Sequence, residues 1–254
     1  MGNVMRASLT LLSCLFGFAL ATATYAGDVK VAVAANFTAP MQEIATAFNR
    51  STGNQVELSF GSTGTLYAQI SNGAPFEVFL SADTATPKKL VDQKLALAGS
   101  AFTYASGKLV LWSPDPKRVD ANGDVLQHLD KYRLAIANPK TAPYGAAAVQ
   151  VLKKLRLYEG VKDRLIQGNN IAQTHQFVSS GNVDLGFVAL SQVYRNGSIT
   201  SGSAWLIPAA DYDAIHQDAV LLKKGATNPT AEALLQFLQS PEAKKIIRSY
   251  GYQI

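Results

Sequence analysis

Short apolar runs alternate along this chain with segments whose apolar residues fall at helical spacing. Val29 to Ala35 is the first run and stops at Asn36-Phe37-Thr38. Beyond Pro40, the residues Met41, Ile44, Ala45 and Phe48 fall at i, i+3, i+4 and i+7, the single buried face of a helix. Gln55 to Phe60 reads as a second strand that ends in Gly61-Ser62-Thr63-Gly64, and a helix from about Thr65 to Ser71 turns Leu66 and Ile70 inward. Val78 to Leu80 is a short third strand with turn chemistry on both flanks, Asn72 to Pro75 before it and Ser81-Ala82-Asp83 after it. Lys108 to Trp112 forms a strand halted by Pro114 and Pro116, and a polar stretch follows to about Lys131. A second set then begins: a strand at Leu134 to Ala137, a helix carrying Val151, Leu152 and Leu155, a loop-to-helix passage at Asn169-Asn170-Ile171, and an apolar strand at Leu185 to Leu190. A late strand, Ala219 to Leu222, precedes two helices, one with Leu234, Leu235 and Leu238, the other opening near Pro241 and burying Ile246, Ile247 and Tyr250. Strands alternating with helices predict an α/β fold with largely parallel sheets.

The first residues follow a different rule. Met1 to Arg6 carries one positive charge, Ala7 to Ala23 is apolar, and small residues end at Thr24-Tyr25-Ala26-Gly27, the order of a secretory signal peptide. Cleavage is expected after Ala26, with Ala23 as second choice. Lipidation of Cys14 is the alternative, but it would leave only Ala7 to Ser13 as hydrophobic core. Cys14 is the sole cysteine, so a chain cleaved after Ala26 has neither disulfides nor thiolate chemistry. The formal net charge is +5, spread over lysine pairs such as Lys153-Lys154 and Lys244-Lys245 with no interleaved aromatic cluster. That argues against nucleic acid and allows only a weak attraction for small anions.

Four places share one arrangement, a strand or loop that feeds a helix start through a small polar residue: Ala34-Ala35-Asn36, Gly61 to Gly64, Ala142-Pro143-Tyr144-Gly145 and Asn169-Asn170-Ile171. Each helix start offers N–H groups without intrahelical partners and a positive dipole end, so several aimed at one point would hold an anion. Singly, each is an ordinary N-cap. Gly61 to Gly64 lacks the Gly-Lys-Ser/Thr ending of a phosphate loop and the Gly-x-Ser-x-Gly elbow of hydrolases. A nucleophilic Ser62 or Thr63 would need a base, and His128, His175 and His216 all fall outside the junctions. No metal-ligand spacing is present. Asp83 reads as a helix cap. No catalytic residue is assigned.

At these residues the sequence closely resembles the periplasmic molybdate-binding proteins of ATP-driven uptake systems, the ModA family. The resemblance spans the chain from Gly27 on. It is carried by Val31 to Phe37, Gly61 to Gly64, Asn72 to Asp83, Gly107 to Trp112, Asn138-Pro139 with Ala142 to Gly145, Asp184 to Val188, and Tyr250-Gly251-Tyr252. It implies a two-lobed periplasmic-binding-protein fold of type II, each lobe a mixed, mostly parallel sheet flanked by helices, with a two-strand hinge at Lys108 to Trp112 and Ala219 to Leu222. The lobes are expected at 27–105 plus 218–254 and at 106–217, after the signal peptide 1–26. The ligand implied is molybdate, with tungstate, held in the cleft by Ala35, Asn36, Thr63, Tyr144 and the backbone of Ile171. Molybdenum would be present only as its oxyanion, with no protein ligand to the metal and no cofactor. The partner implied is a membrane permease of an ABC transporter with its ATPase, met by a monomeric receptor in the periplasm. The chain departs from the family's more familiar pattern at Asn36 and Thr63, where serines stand, and near Ala189, where a tyrosine stands; here the phenol is expected from Tyr144. Receptors for sulfate, phosphate or a small organic anion, and a secreted serine hydrolase, stay open as alternatives.

Overall fold

The computed structural model describes residues 27–254; the expected signal peptide and Cys14 lie outside the described residues. The chain builds a first βα series from β1 (Asp28–Ala34), α1 (Thr38–Thr52), β2 (Gln55–Gly61), α2 (Thr63–Ser71), β3 (Val78–Leu80), α3 (Ala85–Asp92) and β4 (Phe102–Gly107). A second series follows with β5 (Leu109–Ser113), β6 (Leu134–Ala137), α4 (Pro143–Lys154), α5 (Tyr158–Val161), β7 (Ile166–Gly168), α6 (Ile171–Ser179), β8 (Leu185–Ala189), the short hairpin β9 (Tyr194–Arg195) and β10 (Ser198–Ile199), and β11 (Ser203–Leu206). The chain then returns through β12 (Ile215–Leu221), α7 (Pro229–Leu238) and α8 (Pro241–Ser249).

Two five-stranded sheets result, in the orders β2-β1-β3-β12-β4 and β11-β5-β8-β6-β7. In the first, β1 pairs in parallel with β2 and β3, whereas β12 runs antiparallel to β3 and β4. The second repeats the plan, with β6 parallel to β7 and β8 and with β5 antiparallel to β8 and β11. Central strands buried on both faces are the hallmark of helices covering a sheet on both sides. In β1, Val29, Val31 and Val33 face one apolar cluster with Met41, Ile44 and Phe48 of α1, while Ala32 faces another with Leu66 and Ile70 of α2.

The chain passes between sheets twice. One crossing is the single residue Lys108 between β4 and β5, and the other is the segment from Ile207 to Ala214 between β11 and β12. Both differ from the sequence expectation of two crossing strands. β5 lies wholly within the second sheet, and the strand expected over Ala219 to Leu222 starts earlier, at Ile215, and lies wholly within the first. Residues 106–107 and 215–217 pair there too, outside the bounds expected for the first lobe. Gln217, just outside the expected strand, points inward and is completely buried. Two helix details also differ. Ala47, not Ala45, completes the buried face of α1, and Leu155 is exposed because α4 ends at Lys154.

Candidate functional site

The four junctions lie at the carboxyl ends of parallel strands, two in each sheet, and the structure brings them together. Ala35, Asn36, Thr63, Tyr144 and Ile171 all line one hollow between the sheets, with Ala34, Gly61, Ser62, Ala82, Ala142, Pro143 and Asn170. Among the described residues no charged side chain lines it. The five residues are between 1% and 5% exposed, so any ion held there sheds its water and must recover its hydrogen bonds from the protein.

Each junction supplies donors for its own local reason. Ala35 and Asn36 open a short 3-10 turn that leads into α1. Ser62 caps α2 by accepting from Thr65 N (3.3 Å), which leaves Thr63 as the first helical residue. The Thr63 hydroxyl accepts from Ala82 N at 3.0 Å, so its own proton remains to be donated. Pro143 occupies the first position of α4 and has no N–H, so the Tyr144 N–H is the first in that helix. Asn170 caps α6 through Gln173 N (2.9 Å), and the Ile171 N–H at the first helical position has no intrahelical acceptor. Next to Thr63, on the outer-cleft side, the Gly64 N–H donates to Thr141 O in the loop after β6 at 2.9 Å, with so close a backbone approach that a Cβ would stand 3.0 Å from Thr141 Cα.

Two side chains prove busier than their sequence positions suggest. Asn36 Nδ2 donates to Gln217 Oε1 (2.8 Å) and to Tyr252 Oη (2.9 Å), so both amide protons are spent inside the protein. Tyr144 Oη accepts from Gln217 Nε2 at 3.1 Å. Tyr104 Oη reaches Gln217 Oε1 and Ser81 O, each at 3.0 Å, and Ser191 Oγ donates to Asn36 O at 2.8 Å. This neutral, buried network joins the two sheets beside the hollow. Burial pushes the phenols of Tyr104 and Tyr144 well above the usual tyrosine range and that of Tyr252 up to about 12, so all three hold their protons at neutral pH. Gln217, Tyr104, Ser191 and Tyr252 carry no site signal in the sequence. A β-bulge aims two of them: the β12–β4 register slips between Gln217 and Asp218, which leaves Tyr104 as the extra inward residue.

Other candidates settle into structural roles. Asp83 accepts from Thr86 N (2.8 Å) and caps α3. His175 lies against Trp112, with ring centroids 5.1 Å apart, and burial lowers its pKa. His216 Nδ1 bonds Ser106 Oγ and faces the wider outer cleft with Lys140 and Asp213. Neither Ser62 nor Thr63 is paired with a histidine, because their hydroxyls engage Thr65 and Ala82. Among the described residues no group of His, Cys, Asp and Glu could hold a metal ion, and no helix is long and apolar enough to cross a membrane.

Residues 29–253 match the model of the family described as bacterial extracellular solute-binding protein. The chain is 57% identical to the molybdate-binding protein ModA of Azotobacter vinelandii, over 98% of this chain and 99% of that one. The chain belongs to the ModA family of bacterial extracellular solute-binding proteins. A second ModA relative, the molybdate-binding protein of Rhodobacter capsulatus, is 52% identical over 98% of this chain and 97% of its own length. The solved Azotobacter vinelandii periplasmic molybdate-binding protein superposes with a TM-score of 0.86 at 44% identity, covering 89% of this chain and 99% of that one. The two mixed sheets are thus the periplasmic-binding-protein fold expected from the ModA resemblance, and these ModA relatives are binding proteins, not enzymes.

Proposed function

We propose that this chain is a receptor that captures molybdate, and tungstate, in the hollow between its sheets and presents it to an ABC transporter. One observation carries the reading: four helix starts from separate strand ends meet at a buried, uncharged hollow. A tetrahedral dianion suits that hollow because its charge is spread over oxygens that each seek donors. Backbone N–H groups at Asn36 and the preceding Ala35, Thr63, Tyr144 and Ile171, with the Thr63 hydroxyl, supply them. Each hydrogen bond to a charged acceptor contributes about 1.5 to 3 kcal/mol, so about six offset dehydration with enough left over for tight binding. The helix dipoles add to this without placing a cation in the site. Since neither lysine nor arginine is involved, selection against sulfate rests on size: donors fixed for a larger ion are stretched by a smaller one. Residues 1–26 serve as a signal peptide, the receptor works as a monomer in the periplasm, and the permease with its ATPase selects the closed form.

Titration calorimetry on the chain from Gly27 onward tests this. Molybdate and tungstate are expected to give saturable heat at micromolar concentrations and to exclude sulfate and phosphate. Absence of heat with both, or tighter binding of sulfate, would sink the reading.

A further inference from the structure

Gln217 lies on β12 two residues beyond Ile215, where the chain re-enters the first sheet, and is completely buried. The two ends of its carboxamide hold two lining residues from different sheets: Oε1 accepts from Asn36 Nδ2 at 2.8 Å, and Nε2 donates to Tyr144 Oη at 3.1 Å. Gly107 is the last residue of β4 before the other crossing and pairs with Ile215. Its φ is not positive, so glycine is not demanded by backbone conformation. What it supplies is room. A Cβ at Gly107 would stand 1.9 Å from Tyr144 Oη, 2.6 Å from Gln217 Nε2 and 3.0 Å from Tyr144 Cζ. The phenol carried by the second sheet's α4 therefore seats on β4 and β12 of the first sheet, next to both crossings.

We propose that Gln217 is a positioning residue and that the Tyr144 phenol, seated on Gly107, is a clasp that holds the lobes closed without touching the ligand. This rests on the reading of the hollow as the oxyanion site. The contact joins groups on opposite lobes, so it is complete only in the closed form and favours that form in the empty protein too. Apparent affinity is the intrinsic affinity scaled by the closed fraction. Weakening the clasp therefore weakens binding while every donor to the ion stays in place.

The test uses spin labels on cysteines introduced at the exposed residues Lys88 and Lys140, one on each side of the cleft. Interlobe distances are measured without ligand, and molybdate affinity is measured by calorimetry, for the wild type, Gly107→Ala, Tyr144→Phe and the double variant. Gly107→Ala is expected to lengthen the ligand-free distance and to lower affinity by about tenfold or more. Tyr144→Phe alone deletes the oxygen that accepts from Gln217 Nε2 and is expected to lengthen the ligand-free distance by itself. In the double variant the clash at 1.9 Å is gone but Gln217 Nε2 at 2.6 Å stays, so it is expected to be no more open than Tyr144→Phe alone. An unchanged distance in Gly107→Ala, or losses that merely add in the double variant, overturns the clasp. Should Gly107→Ala fail to fold, Gln217→Met removes both carboxamide contacts at similar volume, and a distance unchanged from wild type is again the contrary result. A wild type that gives no heat with molybdate defeats the ligand reading alone, because the ligand-free distances still judge the clasp.

Discussion

Two regions tie the lobes together by opposite chemistry. Beside the hollow, Asn36, Gln217, Tyr104, Tyr144, Ser191 and Tyr252 form a neutral network that is almost wholly buried and connected through every member. At the rim, Arg195 of β9 reaches across to Glu43 of α1, Nη2 to Oε2 at 2.7 Å, with its guanidinium 3.9 Å over the ring of Tyr250. Those two charged side chains are 33% and 40% exposed, and Arg195 Nη1 is buried without a hydrogen-bond partner. The rim pair is thus partly open to water, although one guanidinium nitrogen is closed off, whereas the interior relies on dipoles. A dianion entering the hollow meets donors that carry no counter-charge of their own, so no buried ion is stranded when the ligand leaves.

Substitutions can separate the two regions, and Thr63→Val is expected to act most strongly. It removes a donor to the ion and also strands the buried Ala82 N–H, so binding should weaken by about 1.5 to 3 kcal/mol and folding stability should fall by about 1 to 3 kcal/mol. Calorimetry and urea unfolding read these separately. Ile171→Pro comes next. Proline is accepted at the first helical position, and Asn170 before it is already extended, at φ −150 and ψ 175. The change deletes one N–H while keeping α6, and binding should weaken by about 1.5 to 3 kcal/mol with unchanged helical circular dichroism.

Alkaline titration probes the neutral network as a whole. Its buried phenols hold their protons more tightly folded than unfolded, where tyrosine titrates near about 10. The stability they add is therefore complete below about pH 10 and lost as pH rises through about 12, the value for Tyr252. Thermal unfolding should be flat in this respect up to about pH 10 and decline above it. Arg195→Met is expected to do least. A half-exposed ion pair contributes about 0 to 1 kcal/mol, so molybdate affinity should change by about fivefold at most. A larger loss would move the weight of closure from the interior to the rim.

Much of this architecture is legible in the sequence because periodicity and turn chemistry agree. The run from Val29 to Ala35, the α1 face and the caps at Ser62 and Asn170 all read directly. What escapes is whatever the third dimension decides. Phe102 to Gly107 shows no continuous apolar run, since its outward residues are polar and its bulge breaks the alternation. Ala85 to Asp92 turns only Pro87 and Leu90 inward, too sparse a stripe to signal a helix. Gln217 stands between His216 and Asp218, and nothing local reveals that this one amide joins two lobes. The junctions were visible as separate caps, but their meeting at one hollow follows from strand order, which spacing does not encode.

The most direct measurement is anomalous diffraction from a crystal soaked with tungstate. One tungsten peak is expected in the hollow, with oxygens within about 3 Å of Thr63 Oγ1 and of the backbone nitrogens of Tyr144 and Ile171. A peak in the outer cleft beside Lys140, or against the rim arginine, would contradict capture by uncharged donors.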